Sequence, residues 1–243
     1  GFAGVECCLK LESYYKNDTK VDITLVSEDN FVLFTPMLPQ VASGTIETRH
    51  IVTPIRTLIK KSKFYEAKIK SIDPYGKSVS LIGTNENRET LLSYDILVIA
   101  LGSKTNFFGM KNVEENAYSM NTINDAILLR NRIIDLLEQA ENETDPVLRK
   151  SLLRIVVVGG GFAGVETAGE LNDFINDVAE YYPNIDSSDV KVTLIESSSE
   201  ILSGFPQNLA GFAKEKLIER GISLVLDAGV TSFDGNEVLL ESK

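Results

Sequence analysis

Three glycines, Gly159, Gly161 and Gly164, stand at the spacing G-x-G-x-x-G between an apolar run and a helical pattern. The run 155–158 is β-branched, and after Gly164 the residues Val165, Ala168 and Leu171 share one helical face. In a strand–turn–helix of this kind the first glycine permits a sharp turn and the second lets a pyrophosphate approach the backbone. The third lets helix and strand pack closely. The helix then meets the phosphates with unpaired N–H groups and the positive end of its dipole. A dinucleotide is the expected guest. Glu196 ends the apolar stretch 190–195, where a carboxylate accepts from ribose hydroxyls. It would repel a 2′-phosphate, and Ser197, Ser198 and Ser199 follow in place of a cation, which favours NADH over NADPH. From Gly159 to Glu196 is 37 residues, against roughly 20 in the usual spacing. The insert NDFINDVAEYYPNIDSSD is expected to lengthen the helix and add a loop before the strand.

The elements that position this site occur twice. GFAGVE at 1–6 recurs unchanged at 161–166, an offset of 160, and VDITLVS at 21–27 resembles VKVTLIE at 190–196, an offset of 169. Two dinucleotide sites follow, the second with nine more residues between its glycine loop and its next strand. The first copy starts halfway through its own motif, without the strand and first glycines, so the sequence is expected to be a fragment. In that copy Ser27 occupies the position of Glu196, and Glu28 beside it is the candidate ribose acceptor, with Ser27 assisting. The continuous apolar run 94–102, ending in Gly102, reads as a buried parallel strand. Ala100, Leu101 and Gly102 at its carboxyl end are candidate cofactor contacts.

Glu166 lies two residues past Gly164 and is read as a first-turn carboxylate, favoured there by about 0.3–1 kcal/mol through the helix dipole. The stretch 31–44, FVLFTPMLPQVASG, follows neither the strand nor the helix period and is read as an ordered loop, either filling a core or forming a wall beside a flat aromatic ring. A helix is expected over 3–15, strands over 21–26, 64–72 and 78–82, and a helix starting at Thr53 and Pro54. A further helix over 210–220, a strand over 222–226 and a hairpin turning through Asp234, Gly235 and Asn236 complete the pattern. The basic run 60–63 is read as a solvated face and His50 as structural.

Composition fits an α/β protein with enough apolar residues, 43%, for a core in each of two domains. The net charge of −11, from 24 basic and 35 acidic residues, argues against a nucleic-acid partner. Cys7 and Cys8 are adjacent, which suits neither a normal disulfide nor a CxxC dithiol. No Cys/His cluster with ligand spacing and no GxSxG elbow occurs, so neither a metal nor a protein nucleophile is expected.

TPMLPQVASG, YDILVIALGSKTNFFG, NAYSMNTINDAILLRNRIIDLLEQA, VVVGGGFAGVETAGELNDF and VTLIE with ILSGF occur in that order. Together they resemble the type II NADH:quinone oxidoreductases, within the pyridine nucleotide-disulfide oxidoreductase flavoproteins. The resemblance implies two Rossmann-like domains, truncated at both ends: an FAD-binding domain over 1–117 and, inserted in it, an NADH-binding domain over 118–243. It implies that Gly1 and Gly4 belong to the FAD pyrophosphate loop and that Ser27 and Glu28 lie at its ribose. Backbone at Ala67 and Lys68 would meet adenine, and Thr35 and Pro36 would lie near the isoalloxazine. It places Glu166 close to where nicotinamide and flavin stack, as a catalytic candidate assisting proton delivery to quinone. The implied activity is hydride transfer from NADH to flavin, then two-electron transfer to quinone. A C-terminal segment beyond this sequence would bind the membrane surface and support a homodimer. The expected location is cytoplasmic, peripheral on the cytoplasmic face of a membrane. Ferredoxin-reductase-like and sulfide:quinone-reductase-like enzymes of the same fold, and a noncatalytic redox sensor, are the alternatives at this stage.

Overall fold

The computed structural model describes residues 1–84 and 88–242. In chain order the first elements are α1 (Phe2–Tyr14), β1 (Thr24–Ser27), β2 (Phe31–Leu33), α2 (Leu38–Ala42), β3 (Val52–Pro54) and α3 (Ile55–Leu58). Next come β4 (Lys63–Asp73), β5 (Ser78–Gly83), β6 (Glu89–Ser93), α4 (Lys111–Asn116), α5 (Ile123–Asn142) and α6 (Pro146–Leu152). The last are β7 (Arg154–Val158), α7 (Phe162–Ala179), β8 (Lys191–Ile195), α8 (Gln207–Glu219), β9 (Ser223–Val225), β10 (Ala228–Phe233) and β11 (Val238–Ser242). They form two compact units, Gly1–Phe34 with Ile51–Lys104, and Thr35–His50 with Thr105–Lys243.

The first unit is built on a sheet in the order β1-β4-β5-β6. β1 and β4 run parallel from Thr24↔Lys63 to Ser27↔Glu66, and the remaining pairs are antiparallel. Val5 and Cys8 of α1 bury against Ile55 and Ile59, with Leu25 of β1 packed on the same cluster. α1 is also tied to the turn before β4. The Glu12 carboxylate accepts from the backbone N–H groups of Lys60, Lys61 and Ser62 at 2.7–3.1 Å. Burial alone would raise its pKa, but those N–H donors outweigh burial and hold it at about 2. The basic run is therefore an anchor through its backbone, although its lysine side chains are exposed. Cys7 and Cys8 are free thiols.

The run 94–102 departs from expectation. It contains no strand; Leu97 and Tyr94 pack on the sheet, but Ile96 is 87% and Leu101 66% exposed. A parallel strand needs a hydrogen-bonded neighbour, and none of the described strands pairs with this segment. Two smaller departures are local. β6 forms in a polar stretch because β5 offers it an antiparallel edge. Thr53 and Pro54 end β3, and Pro54 is the N-cap of α3 and not its first turn.

The second unit holds a three-stranded parallel sheet, β7-β8-β9, with Val158↔Ile195 and Ile195↔Val225 at the carboxyl ends. α7 is the crossover from β7 to β8, and its buried face includes Ala168, Leu171 and Ile175. It runs to Ala179, and a loop with a short 3-10 turn at Ser187–Asp189 leads to β8, as the insert implied. α5 starts from a capping box in which Thr122 and Asp125 each accept the other's backbone N–H. The stretch 31–44 is more regular than a loop: β2, a 3-10 turn at Thr35–Met37, then α2, whose Leu38, Val41 and Ala42 are almost wholly buried. α2 packs on α5 and α7, so its apolar residues fill a core. Two prolines hide the period in the sequence. The hairpin β10–β11 turns at the expected residues.

Glu12→Gln removes the charge from the α1 anchor and is expected to cost about 1 kcal/mol, after discounting for the exposed site. The carboxylate contribution is complete above the ordinary pKa of 4.5 and is lost as pH falls toward about 2. Denaturant melts at pH 7 and pH 3 test this: the difference between wild type and Glu12→Gln must shrink at the lower pH.

Candidate functional site

In the second unit the turn from β7 to α7 is made by glycines for specific reasons. Gly159 adopts φ +103, which side chains rarely tolerate, and its N–H donates to Ile195 O at 2.8 Å. A Cβ at Gly164 would lie 1.8 Å from Gly159 O, so only glycine lets α7 approach the end of β7. A Cβ at Gly161 would meet nothing within 4 Å; its open face is where a ligand can reach the backbone. Gly161 is the N-cap of α7, and no side chain caps the helix. The first-turn N–H groups thus have no intrahelical partner and point at that open face.

Glu196 clasps the turn. Its Oε2 accepts from Gly160 N–H at 2.6 Å, and Oε1 accepts from Ser198 N–H at 2.7 Å and Ser197 hydroxyl at 3.1 Å. Burial pushes this carboxyl up, but those three donors win and hold it below its usual range. A carboxylate has about four lone-pair sites. One is left for a ligand hydroxyl. The following loop closes on the same turn: Leu202 N–H donates to Gly160 O at 2.7 Å, Ile201 is buried beneath Gly160, and Phe205 meets Phe162 edge-on at 4.9 Å. Ile201, Leu202 and Phe205 are residues of this site that the motif spacing does not mark. The only sequence sign was the segment ILSGF, whose role needed the third dimension.

Glu166 lies elsewhere than the sequence suggested. As the fifth residue of α7 it is past the first turn, so the dipole is not its main environment. It is half-buried, and burial followed by the charge of Glu170 raises its pKa. Glu170 in turn accepts from Gln40 Nε2 at 3.2 Å and from Ser43 Oγ at 2.9 Å. These three residues were missed; the one cue was the i,i+4 spacing of the two glutamates. Thr35 and Pro36 are exposed in the 3-10 turn that leads into α2, in this same unit.

In the first unit, four expected residues gather at the carboxyl end of the parallel pair β1/β4. Ser27 pairs with Glu66, Ala67 is buried next to it, and Glu28 and Lys68 form an exposed ion pair at 3.8 Å. Gly1 is the N-cap of α1, again with no side-chain cap. A Cβ at Gly4 would rest 3.5 Å from Ala100 Cβ, an ordinary contact, so Gly4 and Ala100 do adjoin. Leu101 and Gly102 follow as exposed backbone, Gly102 with φ +74. An uncapped helix start, a carboxylate at the strand end and small residues between them fit the phosphates and ribose of a dinucleotide. The second unit fits more fully, since the Gly161 face is open and Glu196 is already oriented.

The family model described as pyridine nucleotide-disulphide oxidoreductase matches residues 1–243. The chain belongs to the pyridine nucleotide-disulphide oxidoreductase family. Within that family it is similar to an external alternative NAD(P)H-ubiquinone oxidoreductase B4, mitochondrial, of Arabidopsis thaliana, 40% identical over 92% of this chain and 40% of that protein. It is 35% identical to an external alternative NADH-ubiquinone oxidoreductase, mitochondrial, of Yarrowia lipolytica over 99% of this chain and 42% of the relative. Among solved structures, NDH2 from Plasmodium falciparum in complex with NADH superposes with a TM-score of 0.84 at 32% identity, over 92% of this chain and 46% of that one. The chain thus spans about two fifths of the length of these curated relatives. The α/β fold with two nucleotide-binding units is that of the family.

The glycine geometry separates two substitutions. Gly164→Ala must displace a backbone carbonyl and is expected to cost about 1–3 kcal/mol, read as a lower thermal midpoint. Gly161→Ala enters open space at an ordinary φ and should stay within about 1 kcal/mol of wild type. Equal midpoints for the two variants would contradict the packing described.

Proposed function

We propose that this chain is the nucleotide-binding part of an FAD-dependent oxidoreductase that takes hydride from NADH and passes two electrons to a quinone. The observation that carries the reading is the glycine turn of the second unit, open at Gly161 and clasped by Glu196, with serines after the carboxylate where a 2′-phosphate site would place a cation. In this reading the second unit holds NADH. Gly159, Gly161 and Gly164 shape the pyrophosphate cradle, and Glu196 takes a ribose hydroxyl. The first unit holds FAD through Gly1 and Gly4 at the pyrophosphate, Ser27 and Glu28 at the ribose, and Ala67 and Lys68 at the adenine. Ala100, Leu101 and Gly102 border the same cofactor; Thr35 and Pro36, which the resemblance assigns to the isoalloxazine, belong to the other compact unit. The domain limits proposed from the sequence, 1–117 and 118–243, are adjusted in this reading, because 35–50 and 105–117 pack with the second unit.

A bound flavin supplies the two-electron chemistry that side chains lack. The residues of the chain bind, align and exclude water. Glu166, half-buried beside Glu170, keeps its carboxyl proton to higher pH than an exposed glutamate, which suits a group that assists proton delivery to quinone. Quinone as acceptor is supported by the Arabidopsis and Yarrowia relatives, which are named as mitochondrial ubiquinone oxidoreductases. For this protein we propose a peripheral position at a quinone-bearing membrane, with membrane contact and pairing of subunits made by parts outside this sequence. Among the described residues no helix is long and apolar enough to cross a membrane.

The test is an anaerobic titration of the full-length protein, followed through the flavin absorbance band. NADH should bleach the band, NADPH should do so less effectively, and a soluble quinone should restore it. Glu196→Arg is expected to raise the NADH concentration needed by about tenfold or more, the loss of a charge-assisted hydrogen bond, and to erode the preference over NADPH. A flavin that NADH leaves oxidised would overturn the assignment and favour a binding or sensing role.

A further inference from the structure

α2 and α7 come from sequence segments about 130 residues apart, and beside their apolar packing one carboxylate makes the polar link between them. Glu170 Oε1 takes the Gln40 Nε2 hydrogen bond and Oε2, at 2.9 Å, takes the Ser43 hydroxyl, for which Gln40 O at 3.0 Å is the alternative acceptor. Thr45 Oγ1 lies 2.8 Å from Ser43 Oγ and can donate to it when Ser43 gives its own proton to Glu170. Gln40 Oε1 is buried with no hydrogen-bond partner among the described residues. Turning the amide over would give that oxygen a site facing Glu170, where an ionised carboxylate would repel it. The stranded oxygen is thus the mark of an amide oriented by a negative charge.

The surroundings leave that charge free to act. A cleft of about 240 Å³ beside it is lined by Gln40, Glu166 and Glu170, and by Lys216 of α8 and Arg220, the C-cap of that helix. Both cations are paired elsewhere: Lys216 with Glu219, and Arg220 with Asp173. Glu166 sits four residues before Glu170 on the same face of α7.

We propose that Glu170 is a positioning residue: by gripping Gln40 and Ser43 it fixes α2, which carries the Thr35–Pro36 turn at its head, against α7, which carries the nucleotide turn and Glu166 at its own. This rests on the function proposed above for the importance of the two heads, though not for the grip itself. A dinucleotide-dependent reaction needs its two partners held at a set separation, and small displacements cost rate. Glu170 joins the two helices that present the proposed flavin wall and the proposed nicotinamide turn. The titratable and charged groups that share the cleft with Glu166 are Glu170 on its own helix, Lys216 of α8 and Arg220 at the C-cap of α8; α2 contributes only the neutral Gln40. Loss of the Glu170 charge therefore lets Glu166 release its proton at lower pH.

Hydrogen exchange by mass spectrometry on the full-length holoprotein tests the grip without reference to activity. In Glu170→Ala the amides of 40–46 are expected to exchange about a hundredfold faster or more, the effect of losing two hydrogen bonds to a charged group, while β4 and β5 keep their protection. Glu170→Gln, which keeps an acceptor but loses the charge, should retain most of that protection. It should also move the alkaline limb of the pH profile for reoxidation of the flavin by a soluble quinone to lower pH. Unchanged exchange at 40–46 in Glu170→Ala overturns the proposal, as does an unmoved limb in Glu170→Gln. Faster exchange that spreads to β4 and β5 overturns it too, because Glu170 would then be a general stability residue. If NADH fails to reduce the flavin of the wild-type protein, the function proposed above fails, and the exchange result still decides whether Glu170 grips α2.

Discussion

The carbonyl of Gly159 occupies the space a side chain at position 164 would need. From that one steric fact the second unit follows. Because α7 can come so close, β7 can hand the chain to it through three residues, and the unpaired N–H groups of its first turn face open space at Gly161. The same closeness brings Gly160 within reach of Glu196 at the end of the neighbouring strand, so sheet, turn and helix share one polar clasp. The loop after Glu196 then has a surface to close on, and it does so through Leu202 and Ile201. A helix set back by even the width of a methyl group would separate these partners. The packing density of protein interiors makes such a shift expensive.

How far the sequence foretold this depends on what each signal measures. Glycine spacing reports backbone geometry directly, and at Gly159 and Gly164 the conformational demand and the close approach both occur. The repeat GFAGVE likewise led to two units of related construction. The apolar run 94–102 shows the limit. Hydrophobicity says that a segment would gain by burial, not that a partner is present, and Ile96 and Leu101 lie in solvent because no described strand pairs with them. The stretch 31–44 misled in the opposite direction, since prolines and a three-residue strand break any period, yet Leu38, Val41 and Ala42 build a core helix.

Polar networks were the least legible part. Glu166 was placed by counting from a glycine, which put it one turn too near the helix start; its environment is set by burial and by Glu170. Nothing in the local sequence of Gln40, Ser43 or Glu170 announces that they meet, because the contact spans two distant segments. Glu12 is similar: an acidic residue on an amphipathic helix looks like a solvated face until three N–H groups from 60–62 converge on it.

The uncovered side chains between Ile96 and Leu101 also bear on how this length of chain behaves at high concentration. An extended, unpaired apolar segment is a template on which another molecule can add a strand. Against that stands a net charge of −11, which keeps molecules apart at low ionic strength. Added salt shortens the range of that repulsion to about 10 Å at 0.1 M and leaves the apolar edge as sticky as before. The colloidal stability of residues 1–243 is thus a contest between a long-range charge and a short-range edge, and ionic strength sets which one governs.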